Sequence, residues 1–213
     1  MLCEIKTIII MKNKLLSEDI LRFLKLAYFG NTENPFNAAG DRAYRDFCRT
    51  IDFPKSEYKL SRRELLKRAI KRQKCKDDIY LWLEESLNNI AKYDYDKWHE
   101  ITCDGIIERF KSQALLTYGQ AQKWLNMTMK YLLVFDNKDV CQLIPPLHVP
   151  IDNGVIRKAK KMYKLSAPPT PWSQWDKETY VKYQHRLRDK VSMDYCPIIW
   201  EFDNWEPPTT MEE

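Results

Sequence analysis

Lys123 and Asp152 are the two residues of this chain best placed to do covalent chemistry. Residues 117–126 read Thr-Tyr-Gly-Gln-Ala-Gln-Lys-Trp-Leu-Asn, a turn around Gly119 leading into a helix with Lys123 in its first turns. Residues 149–152, Val-Pro-Ile-Asp, bring a carboxylate to the start of the next helix. A lysine amine that loses its proton on desolvation is a nucleophile. A carboxylate facing it orients the amine, or stabilises the cationic sugar that forms as a base departs. Together they suffice for cleavage of an N-glycosidic bond. A turn–helix junction also offers free backbone N–H groups to a phosphate oxygen, and Gln120, Gln122 and Asn126 stand beside it as groups for a base or a backbone. Each residue has a plainer reading as well: a solvated lysine, an N-cap aspartate, surface amides.

The elements that must position these residues read as helices. Five glycines argue against a hairpin-rich β architecture and against a Gly-rich phosphate loop. A hydrophobic fraction of 44% with 13% aromatic residues is that of a folding chain. The expected fold is all-α: one compact multi-helix domain over residues 17–206, preceded by an extension at 1–16 and followed by an acidic tail at 207–213. The most regular helix runs over 121–134, burying Leu125, Met129 and Leu132. Residues 32–41 read as a polar loop around Pro35. Pro145, Pro146 and Pro150 force an extended apolar path into Asp152, where His148 reads as a hydrogen-bonded structural residue.

The strongest basic cluster follows Ser61-Arg62-Arg63-Glu64, a capping-box sequence. Its helix is expected to turn Leu65, Leu66, Ala69 and Ile70 inward, and Arg62, Arg63, Lys67, Arg68, Lys71, Arg72, Lys74 and Lys76 outward. Such a face is either solvated or set against phosphates, with Arg68, Lys71 and Arg72 at its centre. A net charge of +5 permits a nucleic-acid partner without requiring one. Trp172, Trp175, Tyr180 and Tyr183 lie in sequence near Lys177, Lys182, Arg186 and Arg188, a composition for core packing or for stacking an unpaired base.

Six dispersed cysteines lack metal-ligand spacing, so no metal or other cofactor is expected, and free thiols in a reducing cytoplasmic setting are the simplest reading. The apolar run 8–11 is far shorter than a membrane span, and no membrane partner is expected.

Residues 119–130 followed by 148–158 resemble the helix–hairpin–helix DNA glycosylase superfamily, and are most similar to its archaeal 8-oxoguanine glycosylase branch. The resemblance is carried by Lys123-Trp124-Leu125-Asn126 and by Asp152-Asn153-Gly154-Val155-Ile156-Arg157. It implies that Lys123 attacks the sugar C1′ and forms a Schiff base, that Asp152 assists, and that the target base is flipped out of duplex DNA. It implies further that Gly119, Asn126 and Arg157 lie along the DNA, where Gln120 and Gln122 are then also expected to bind. The rival expectation is a non-catalytic helical module that binds nucleic acid or protein through the basic helix.

Overall fold

The computed structural model describes residues 18–54, 60–92, 94–191 and 195–206, so the expected extension and acidic tail lie outside the described residues. Among the described residues there are nine α-helices, three short 3₁₀ turns and no strand. We number the helices α1 (Glu18–Phe29), α2 (Pro35–Phe47), α3 (Arg62–Asn88), α4 (Tyr95–Phe110), α5 (Tyr118–Val134), α6 (Lys138–Gln142), α7 (Asn153–Tyr163), α8 (Lys177–Val191) and α9 (Pro197–Asn204). No helix of the described residues is long and apolar enough to cross a membrane.

The termini of these helices follow local chemistry. Gly30, at φ +84°, closes α1 in a conformation that residues with a Cβ rarely adopt. The segment expected as a loop around Pro35 is the start of α2, because Asn34 caps the helix and Pro35 occupies its first position, where a missing N–H costs nothing. Ser61 and Glu64 form the expected capping box. Asp94 caps α4, which runs unbroken from Tyr95 to Phe110.

α5 is the hub, packing most extensively on α2 and then on α4, with α6, α8 and the 3₁₀ turn Trp172–Gln174 around it. Every residue from Tyr118 to Leu132 is buried, including the expected Leu125, Met129 and Leu132. Trp124 sits among Tyr44, Phe47, Tyr80 and Phe110, and its indole N–H donates to the Gly40 carbonyl. Side chains of this size each contribute about 2–3 kcal/mol when fully buried. Trp172, Trp175, Tyr180 and Tyr183 are also buried in this core, which removes them as stacking platforms for a base.

The first half of α3 departs from expectation. Leu65, Leu66, Ala69 and Ile70 are exposed rather than inward, because only the second half of the helix, through Ile79, Tyr80, Leu83 and Leu87, reaches the core. Lys76, expected outward, is buried and paired with Asp41 at 2.7 Å, and its ammonium lies over the Tyr44 ring.

Candidate active site

The segment 147–151 explains why α5 buries so many polar groups. Pro150 within it and Pro145-Pro146 just before it bar a helix there, and Leu147, His148, Val149 and Ile151 are all buried. A buried stretch outside helix or sheet leaves backbone groups that need partners. α5 supplies them: Gln122 accepts from the Ile151 N–H at 3.3 Å and donates to the Ile151 carbonyl at 3.0 Å. Asn126 reaches the Val149 carbonyl and the Lys123 amine reaches the Pro150 carbonyl, each at 3.5 Å. The three donors sit at i, i+1 and i+4 of one helix, so they meet the segment as a row.

This clamp delivers Asp152 to Lys123. The two residues are 29 apart in sequence, and Lys123 Nζ lies 2.6 Å from Asp152 Oδ2. The other carboxylate oxygen, Oδ1, accepts from the Val155 N–H at 2.9 Å and caps α7, as its sequence position suggests. The lysine side chain is 6% exposed and the aspartate 35%, so the aspartate is the more open member of the pair. Burial by itself would raise the Asp152 carboxyl; the Lys123 charge and hydrogen bond, the Val155 N–H and the Lys130 charge together hold it below the usual carboxylate range.

A second pair, which the sequence reading missed, stands beside the first. Lys130 is two turns beyond Lys123 on the same face of α5; it is buried, ion-paired with Glu201 of α9, and lies over the Phe202 ring. Burial pushes the Lys130 amine down, against the raising effect of Glu201. No local signal in the sequence marks this pair, because its two members lie on different helices.

Behind the clamp runs a chain of buried hydrogen bonds. Asn126 donates to the Tyr180 hydroxyl at 2.9 Å, and that hydroxyl lies 2.9 Å from His148 Nδ1. His148 Nε2 lies 2.8 Å from Asp96 Oδ1, and Arg188 also donates to both oxygens of Asp96. Since Asp96 can only accept, His148 carries its proton on Nε2 and takes the Tyr180 O–H on Nδ1. Burial holds the His148 imidazole down at about 4 against the raising effect of Asp96, so it is neutral at pH 7. His99 completes the cluster, 2.9 Å from Asn126 Oδ1. The expected structural role of His148 is the one observed.

Several residues expected along DNA are placed elsewhere. α5 begins at Tyr118, not at 121, with Thr117 and Gln120 forming a capping box. The Gly119 N–H donates to the Trp175 carbonyl and the Gln120 N–H to Thr117 Oγ1, so these helix-start donors are taken. A methyl at Gly119 would overlap the Trp172 carbonyl oxygen, and this close approach is what the glycine serves. Gln120 donates to the Thr50 carbonyl at 2.6 Å, and Gln122 and Asn126 bind the 147–151 segment, so all four residues face the protein interior. Arg157 is exposed on α7, one turn past Asp152. On α3, Lys71 is exposed, Arg68 is half-buried, and Arg72 lies over the Phe53 ring.

Compared with family models, with curated proteins and with solved structures, the chain matches none. The functional reading therefore stands on this geometry and on the residues that form it.

Proposed function

We propose that this protein is a DNA glycosylase, cleaving the N-glycosidic bond of a damaged or modified base with Lys123 as nucleophile and Asp152 as its partner, and with Schiff-base lyase activity. The observation that carries the reading is the 2.6 Å approach of a buried lysine amine to the carboxylate of a partly exposed aspartate. Ion-paired, the ammonium is a resting form. When it gives a proton to the departing base or to solvent, the neutral amine attacks C1′ and the C1′–N bond breaks, its electron pair leaving with the base. Asp152 stabilises the positive charge that develops on the sugar. Loss of the amine proton and opening of the sugar ring give the imine. For the lyase step Asp152 takes a proton from C2′, the C3′–O bond breaks with its electron pair leaving on the 3′ phosphate, and water then hydrolyses the unsaturated imine to return the free amine. The chain's own residues suffice for these steps.

Borohydride reduction tests the proposal. Incubation with duplexes carrying damaged or modified bases is expected to trap a covalent protein–DNA adduct that Lys123→Gln abolishes. Asp152→Asn is expected to slow base release at least 100-fold while keeping an N-cap. Because a glycosylase without lyase activity escapes trapping, base release is measured separately. If both variants release base at the wild-type rate, the site is wrong; if the wild type releases none from a broad panel, the chain is the non-catalytic module.

A further inference from the structure

We propose that a cavity between α3 and the C-terminal end of α4 seats a backbone phosphate of duplex DNA, fed by a cationic stripe along α3. It rests on nucleic acid being the partner in the proposed function, but not on base removal. The cavity measures about 360 Å³, and Lys71, Lys74 and Arg109 bring three cations to its wall against the single carboxylate of Asp78. Ser112 and Gln113 add neutral polar groups from the turn that follows α4. Neither Lys71 nor Lys74 is held in an ion pair among the described residues.

The third cation is set in place before any ligand arrives. The Arg109 guanidinium lies over the Trp82 ring, 3.8 Å from its centroid, and donates to the Gly105 carbonyl at 3.4 Å. Trp82 fits there because Gly105 has no side chain; a Cβ at that position would overlap the indole. A mid-helix glycine is otherwise unfavourable. Glycine, tryptophan and arginine thus form a stack that fixes a bidentate phosphate donor at the surface.

The stripe points to a polyanion rather than a single nucleotide. Arg63, Lys67, Lys71 and Lys74 recur at four, four and three residues, which places them on one face of α3 over roughly 16 Å. All four are exposed. A free nucleotide would occupy the cavity and leave Arg63 and Lys67 idle, whereas a DNA backbone engages both.

Full-length protein titrated into a fluorescent, undamaged duplex gives the test, by anisotropy at several salt concentrations. Lys74→Glu with Arg109→Glu is expected to weaken binding more than tenfold at 0.1 M salt, and to flatten the log–log salt slope by about two. Lys138→Glu with Lys190→Glu, an equal charge change on exposed residues of α6 and α8 that do not line the cavity, is expected to leave the slope unchanged. Circular dichroism verifies folding, and Lys74→Gln with Arg109→Gln repeats the measurement if the reversed charges unfold the protein. Equal losses in the two double variants, or none in either, overturn the site. So does tighter competition by inorganic phosphate or a mononucleotide than by unlabelled duplex, or binding to acidic phospholipid vesicles that outcompetes DNA. Binding with the expected slope but without base release from any substrate would leave this site standing and remove the glycosylase.

Discussion

α5 and the first half of α3 invert the usual partition of side chains, in opposite directions. α5 buries Lys123, Lys130, Gln120, Gln122 and Asn126, while α3 exposes Leu65, Leu66 and Ile70. The buried polar groups of α5 are tied to named partners: a backbone segment, a carboxylate, or a helix cap. The exposed leucines and isoleucine of α3 precede the first buried apolar residue of that helix, Ile79, by about two to four turns. Polarity in α5 is therefore geometry held in place, and apolarity in α3 is surface. Helical periodicity reports which residues share a face, but not whether that face has something to pack against.

The sharpest way to break this contrast is to make α5 more conventionally apolar. Gln122→Leu substitutes a good helix former of similar size into a fully buried position. If burial of apolar area decided the matter, the variant would be more stable. Instead the Ile151 N–H and carbonyl, and the Asn126 amide, lose a buried partner. Asn126 keeps Tyr180 and the Val149 carbonyl. Each of the two orphaned Ile151 groups costs about 1–3 kcal/mol, so a loss of about 4 kcal/mol in chemical unfolding is expected. A gain in stability would mean that the clamp does not hold the 147–151 segment.

The hydrogen-bond chain behind the clamp gives a pH signature of smaller size. His148 is held at about 4 in the folded protein, below its ordinary 6.5. Between those values the unfolded chain binds the extra proton, so stability is full above pH 6.5 and falls as pH drops toward 4. The expected loss from this residue is on the order of 3 kcal/mol. Asp96, Arg188 and His185 face the same group, and Asp96 is held low by the His148 hydrogen bond and by Arg188, so its own contribution is lost only in stronger acid. His99 is also depressed by burial and adds to the window. Urea midpoints at pH 7 and pH 4.5 should therefore separate less for His148→Gln than for the wild type, without the difference vanishing. An equal separation in both would place the pH dependence elsewhere.

The sequence made the helical class legible, together with the caps at Ser61 and Asp152 and the meeting of Lys123 with Asp152, because each is written in local residue types and spacing. The roles of Gln120, Gln122 and Asn126 were not legible. An amide on a helix reads as surface until one knows that a proline-bound segment will lie against it with unpaired backbone groups. Gly119 was misread for a similar reason: its value lies in the approach of the Trp172 carbonyl, more than fifty residues away. Lys130 and Glu201 come from distant helices, and no local pattern announces their pairing.

The smallest expected effect is the one that tests α3. Leu66 and Ile70 are 61% and 62% exposed, and lie four residues apart on one face. Replacing each by serine removes apolar area that is mostly in water already, and serine is only slightly worse than leucine within a helix. Each substitution should therefore change stability by no more than about 0.5 kcal/mol, as surface changes ordinarily do. Melting temperatures of the single variants and of the pair, at two protein concentrations tenfold apart, check this directly. A cost above about 1.5 kcal/mol per residue would show that the face is packed in solution. If that cost grew with protein concentration, the packing partner would be a second copy of the chain, since only association makes stability depend on concentration. If it did not, the partner would be part of the same chain, and the contrast with α5 would dissolve, because both helices would then bury every side chain that their period marks.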